Sequence, residues 1–282
     1  MDKYLNTNGI QLHYLDHPGG EPVLILLPGL TANAHEFDGL IAAGLSPRSR
    51  VLALDLRGRG LSDKPAQGYA MADHAADVIG LLDAMDSEQV VLAGHSFGGA
   101  LTMYMASQYP NRVSKLVLID VSEAAIRPET VELIKPSLAR LGRLFPSWEV
   151  YKEEMQQMPF LDGFWDASLE AYFQADVETN DDGTIQARAR SETIAQAIDG
   201  ILNEPWVEHI RAADQPAILI NAPGPYGPPG APVVIPADDA QATAAGFPNC
   251  RYVQVPGNHV TMVFGDNAPV VVKVISEFLS EA

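Results

Sequence analysis

Residues 89–100, Q-V-V-L-A-G-H-S-F-G-G-A, constrain this chain more than any other stretch. Residues 90–93 are apolar with no alternating polar face, the pattern of a strand covered on both sides. Gly94-His95-Ser96-Phe97-Gly98 then fits G-x-S-x-G, and residues 100–106 continue at helical spacing. A serine on so sharp a strand-to-helix turn has its hydroxyl pushed clear of the sheet, and glycines beside it avoid a clash. The strand before and the helix after separate this pattern from a chance Gly-rich turn. Ser96 therefore reads as a nucleophile.

The rest of the chain is organised around that turn. Asn8-Gly9 between two alternating segments predicts a hairpin, with His13 and His17 expected at the surface. Residues 22–27, 50–56, 115–120, 217–222 and 250–256 predict strands, with helical segments such as 71–85 and 270–279 among them. That alternation predicts βαβ units and a mostly parallel sheet. Between 122 and 209 the strand signal stops, and only helical-period segments appear, carrying Trp148, Phe160, Trp165, Phe173 and Trp206. The expected organisation is a core over 1–121, a helical cap over 122–209, and the rest of the core over 210–282.

Composition narrows the function. Hydrophobic content of 47% and charged content of 19% suit a soluble globular protein. The single cysteine, Cys250, allows no intrachain disulfide, and the N-terminal residues lack a charged-then-apolar signal pattern. A cytoplasmic location is the expectation, and no apolar run approaches a membrane span. The formal charge of −18 argues against nucleic acid and against anionic membranes as partners. Salt adaptation or ordinary solubility would each account for it, and the second is preferred. No residues have metal-ligand spacing, and no dinucleotide or phosphate fingerprint follows the first strands. No metal and no cofactor are expected. The expected partner is a small molecule, and no feature selects an oligomeric state.

A serine hydroxyl needs a base, usually a histidine held by a carboxylate. Of seven histidines, His259 alone lies just past a late strand on a Gly-containing turn. Catalytic groups of open α/β sheets collect at that edge. His95 is expected to pack or hydrogen-bond beneath the serine turn, and His35 and His74 to take surface or capping roles.

Leu27-Pro28-Gly29-Leu30, Asp55-Leu56-Arg57-Gly58-Arg59-Gly60-Leu61-Ser62, the Ser96 turn, Leu118-Ile119-Asp120 and Pro256-Gly257-Asn258-His259 occur in that order. With these motifs the chain resembles the α/β-hydrolase fold superfamily over nearly its whole length. The resemblance implies an α/β-hydrolase fold, with a mostly parallel central sheet flanked by helices and a cap inserted after Asp120. It implies Ser96 as nucleophile, His259 as base and an oxyanion hole from the backbone N–H groups of Leu30 and Phe97. Two departures stand out. Pro28-Gly29 replaces a frequent His-Gly, and the turn that usually carries the acid, residues 221–230 here, has no carboxylate. Asp238 and Asp239 come later and suit a helix start. Some relatives, including certain dehalogenases and lactone hydrolases, carry the acid one strand earlier. Asp120 is accordingly the expected third member of the triad. Asp55 is expected to brace the Arg57-Gly58 turn.

The leading expectation is hydrolysis of a carboxylic ester or lactone through an acyl-Ser96 intermediate. Carbon–carbon bond hydrolysis of a ring-cleavage diketone, cofactor-free perhydrolysis, and a ligand receptor built on the hydrolase fold stay open beside it. Dehalogenase and epoxide hydrolase chemistry are disfavoured, because those relatives use aspartate in place of Ser96. Cap residues Trp148, Met158, Phe160, Trp165 and Phe173 are the candidates for the pocket roof.

Overall fold

The computed structural model of the chain describes residues 1–161 and 163–281. In chain order the strands are β1 (Asp2–Thr7), β2 (Ile10–His17), β3 (Leu24–Leu27), β4 (Val51–Asp55), β5 (Val90–His95) and β6 (Val113–Ile119). They continue with β7 (Leu144–Phe145), β8 (Val177–Thr179), β9 (Ile185–Ala187), β10 (Ala217–Asn221) and β11 (Cys250–Gln254). Eight form one sheet, in the order β1-β2-β4-β3-β5-β6-β10-β11. β2 runs antiparallel to both β1 and β4, while all pairs from β4 to β11 are parallel. The β1–β2 hairpin turns at Asn8 (φ 46°) and Gly9 (φ 76°), the left-handed pair that an Asn-Gly turn favours.

Strands β3, β4 and β5 are buried along their whole length, as their unbroken apolar runs require. Helices Met71–Ala84, Phe97–Gln108, Ala237–Gly246 and Ala268–Ser280 bury their apolar residues in the same core. Burying one such Leu, Ile or Val side chain stabilises the fold by roughly 1.5–3 kcal/mol. From β3 the chain first moves outward to β4 and then returns to place β5 on the other side of β3. The ends of β3 and β5 therefore flank a topological switch point, where ligands of open α/β sheets bind.

Register aligns the strand ends there. Leu27 pairs with Gly94, His95 with Ile119, and Ile119 with Ile220. The next residues on β5, β6 and β10 form one row at the carboxyl edge: Ser96, Asp120 and Asn221. The row is tied by Ser96 N–H to Ile119 O (3.0 Å) and Asp120 N–H to Ile220 O (2.7 Å).

Three sequence expectations need correction. The inserted segment is not purely helical: β7, β9 and β8 form a small antiparallel sheet beside its helices. Strands of two or three residues are too short to show an alternating pattern. His13 and His74 are buried, at 1% and 0% exposure, rather than superficial. His13 Nδ1 lies 2.7 Å from Asp55 Oδ2, and the His74 ring meets Phe97 edge-on at 5.1 Å. Asp55 braces Ala34 N–H and Leu61 N–H (both 2.7 Å) and His13, while Arg57 pairs with Asp77 (2.6 Å). Among the described residues no helix is long and apolar enough to cross a membrane.

Candidate active site

Ser96 stands between β5 and the helix Phe97–Gln108 with φ 53° and ψ −114°, a strained conformation for a residue with a side chain. The neighbouring glycines make it attainable. A Cβ on Gly94 would lie 2.0 Å from Gly98 O, and one on Gly98 would lie 1.9 Å from Leu27 O. No side chain fits in either place.

His259 follows β11 on a turn folded by Asn258, whose Oδ1 accepts from Val260 N–H (3.0 Å) and Thr261 N–H (2.9 Å). The turn brings the imidazole to the residues that follow β5 and β6. Nε2 lies 3.0 Å from Ser96 Oγ, and Nδ1 lies 2.7 Å from Asp120 Oδ2. The geometry thus joins Ser96, His259 and Asp120 through one ring. Burial disfavours the charged imidazole and, with the neighbouring His95, outweighs Asp120, so the His259 pKa falls below its ordinary value. A neutral imidazole at neutral pH can accept a proton.

Asp120 is itself at positive φ (47°) and fully buried. Its second oxygen, Oδ1, accepts from Asn221 Nδ2 and from Ala222 N–H, both at 2.8 Å. Asn221 is fixed in turn, donating from Nδ2 to Ile235 O (3.0 Å) and accepting on Oδ1 from the Tyr252 hydroxyl (2.9 Å). The carboxylate is buried with its hydrogen-bonding capacity used. Asp238 and Asp239 stand in the first turn of Ala237–Gly246, where no side chain caps the helix. Negative charge there suits the helix dipole.

A second buried pair lies under the serine turn. His95 Nδ1 is 2.9 Å from Glu36 Oε1, and His95 Nε2 is 2.8 Å from the His259 carbonyl. Both ring nitrogens face acceptors, so the pair carries protons on both. Burial opposes protonation of His95, but Glu36, with Asp120 behind it, prevails and raises its pKa. Glu36 Oε2 accepts from Gly29 N–H (2.9 Å), which fixes the loop leading to Leu30. Among the described residues, neither Leu30 N–H nor Phe97 N–H has a protein acceptor. Backbone amides without protein partners beside the serine fit a site kept for another oxygen.

Two chambers of about 90 Å³ each open on Ser96, Leu30 and His259. One is walled by Glu36, His95, Arg140, Tyr172 and Tyr226. The other is lined mainly by aliphatic side chains, Ile126, Val131, Ile198 and Ile201 among them, together with Arg127 and Thr130. Of the cap residues expected in the roof, Met158, Phe160 and Phe173 line the first chamber. Trp148 and Trp165 line neither. Trp165 stacks on Phe173 (5.4 Å between centroids) and donates from Nε1 to Glu170 (3.2 Å), while Trp148 packs on Tyr151.

Sequence reasoning missed Tyr172, Arg140 and Tyr226. Tyr226 belongs to the loop without a carboxylate, stacks on Phe160 (4.5 Å) and donates to Ser137 Oγ (2.9 Å). Arg140 forms a two-point ion pair with Asp176 (2.7 and 3.0 Å). No local motif marks either residue. Among the described residues no cluster of three or more His, Cys, Asp or Glu is placed to hold a metal.

Comparison with known proteins extends this picture. Residues 22–180 match the family described as alpha/beta hydrolase fold. Over 127 residues the chain is 34% identical to a 2-(acetamidomethylene)succinate hydrolase of Mesorhizobium japonicum, covering 45% of each. Over 145 residues it is 34% identical to a 2-hydroxymuconate semialdehyde hydrolase of Pseudomonas sp. (strain CF600), covering 48% of this chain and 50% of that one. The matches thus span about half the length of these two relatives. A solved E-2-(acetamidomethylene)succinate hydrolase superposes with a TM-score of 0.83 over 100% of this chain and 99% of its own, a likeness of fold at 24% identity. With the matched family covering more than half of its length, this chain belongs to the alpha/beta hydrolase fold family.

Proposed function

We propose that the chain is a serine hydrolase that cleaves a carboxylic ester or lactone through an acyl-Ser96 intermediate. The observation that carries this reading is one imidazole bonded on both sides, to Asp120 at Nδ1 and to Ser96 at Nε2. With Nδ1–H donated to Asp120, the Nε2 lone pair faces the serine hydroxyl. As Ser96 Oγ attacks the carbonyl carbon, Nε2 takes its proton. Charge then develops on the carbonyl oxygen, within reach of the Leu30 and Phe97 amides. The C–O bond breaks as His259 returns the proton to the leaving alkoxide. Water then gives a proton to His259 and attacks the acyl carbon, and the acyl–Oγ bond breaks as His259 returns that proton to Ser96, releasing the acid.

In the walls of the first chamber Glu36 is paired with His95 and Arg140 with Asp176, whereas Arg127 at the second has no carboxylate partner among the described residues. A second reading, carbon–carbon bond hydrolysis, is favoured by the relative named 2-hydroxymuconate semialdehyde hydrolase.

The test is a panel of short aryl esters, lactones and vinylogous diketones, with rapid quenching and mass analysis of the Ser96 peptide. Turnover of esters or lactones with an acyl mass on Ser96 is expected. Turnover of diketones alone would replace this reading with the second. A single stoichiometric burst would point to a receptor, and peroxide-dependent peracid formation as the only reaction would point to a perhydrolase.

A further inference from the structure

Three arginines are buried among the described residues, and two of them have carboxylate partners. Arg57 pairs with Asp77 and Arg140 with Asp176. Arg59, at 0% exposure, has none: the ionisable groups that act on it are Tyr69 and Arg57, with His74 Nε2 3.5 Å from Nη1. Burial pushes its pKa down to about 9, which leaves it a cation at neutral pH. Removing a charge from water without a counter-ion is among the costliest arrangements in a protein interior.

What Arg59 touches gives that cost a purpose. Nε donates to Leu30 O (2.9 Å), and Nη1 donates to Arg57 O (2.7 Å). The guanidinium carbon lies 5.0 Å from the centroid of the Phe97 ring, within cation–π range. Nη2 has no hydrogen-bond partner. Leu30 and Phe97 are the two residues whose backbone N–H groups are left open beside Ser96. The same cation therefore holds one residue by its carbonyl and the other by its ring. It lies against both residues, in a medium where charges are poorly screened.

We propose that Arg59 is a positioning residue of the oxyanion hole, a buried cation kept without a counter-ion so that its field favours negative charge developing on the substrate oxygen. The proposal rests on the acyl-serine reading above. It also accounts for the neutrality of the surroundings: neutral His74 packs against Arg59, and burial and the two arginines hold its pKa well below the ordinary value. A carboxylate at that place would cancel the field.

That substitution is the test. His74→Glu supplies a counter-ion beside Nη1 while leaving the Leu30 and Arg57 contacts in place. Turnover of an aryl ester is measured per Ser96 site titrated with a fluorophosphonate, so that only folded sites are counted. The expected result is a roughly ten- to hundredfold lower kcat with KM within about twofold. Affinity for a trifluoromethyl ketone, which forms the tetrahedral adduct, should fall in proportion while Tm holds or rises. His74→Gln, without the charge, should stay within about threefold of wild type. If His74→Glu raises Tm and leaves kcat and ketone affinity unchanged, Arg59 is scaffold alone and the proposal is overturned. Should His74→Glu not fold, Arg59→Lys and Arg59→Met decide. Lys, which keeps the charge, must exceed Met in kcat by about tenfold or more, and equal losses overturn the proposal. Wild-type protein that neither turns over esters nor labels at Ser96 would instead defeat the hydrolase reading itself.

Discussion

The ends of β6 and β10 lie side by side, both fully buried, yet one presents a carboxylate and the other an amide. Asp120 accepts from the His259 ring on one oxygen and from Asn221 Nδ2 and Ala222 N–H on the other. Asn221 cannot replace it, because its own oxygen is taken by the Tyr252 hydroxyl and its NH₂ group is spent on Asp120 and Ile235 O. What matters is that a carboxylate stands where the imidazole Nδ1 can reach it. Which strand end supplies that carboxylate is secondary. Once β6 supplies it, the neighbouring end is best filled by a donor, since two carboxylates at 2.8 Å cannot both ionise.

The comparison can be broken at either end. Asp120→Asn removes the acceptor and lets the ring adopt the wrong tautomer. In aryl ester kinetics it should lower kcat by about 10³–10⁴-fold with the fold intact by circular dichroism. Asn221→Asp puts a second carboxylate against the first, so the pair holds a shared proton and grips the ring less. A roughly ten- to hundredfold loss at pH 7 is expected. The acid limb of kcat/KM, which in wild type should lie below pH 6.5 because the His259 pKa is lowered, should move upward. Tyr252→Phe only frees the Asn221 amide, for about a two- to fivefold loss and about 1 kcal/mol of stability in urea titration. Asp238→Asn and Asp239→Asn should stay within about twofold, since neither residue belongs to the row.

Much of this was legible in the sequence because strand ends announce themselves. The apolar run before Ser96, the same pattern before Asp120, and the glycine before His259 mark strand ends in the sequence, while the choice of Asp120 as the acid rests on the resemblance to the α/β-hydrolase fold. Asn221 was visible only as the start of a loop lacking an acid. Its part in orienting Asp120 depends on β10 lying next to β6, a long-range pairing that no local pattern encodes. The chamber walls were least legible. Tyr226 and Arg140 come from separate segments and meet at the site through tertiary packing, and the aromatic cap residues look alike in sequence whether they face the chamber or one another. His13 and His74 were misread for the same reason: a polar residue's burial is set by the partner waiting for it.

The hydrogen bond between His259 Nδ1–H and Asp120 can be observed directly by proton NMR on protein with ¹⁵N-labelled histidine. A far-downfield Nδ1–H resonance assigned to His259 should be present in wild type and in the Asp238→Asn, Asp239→Asn double variant, and absent in Asp120→Asn. Survival of that resonance in Asp120→Asn, or its loss in the double variant, would contradict the placement of the acid on β6.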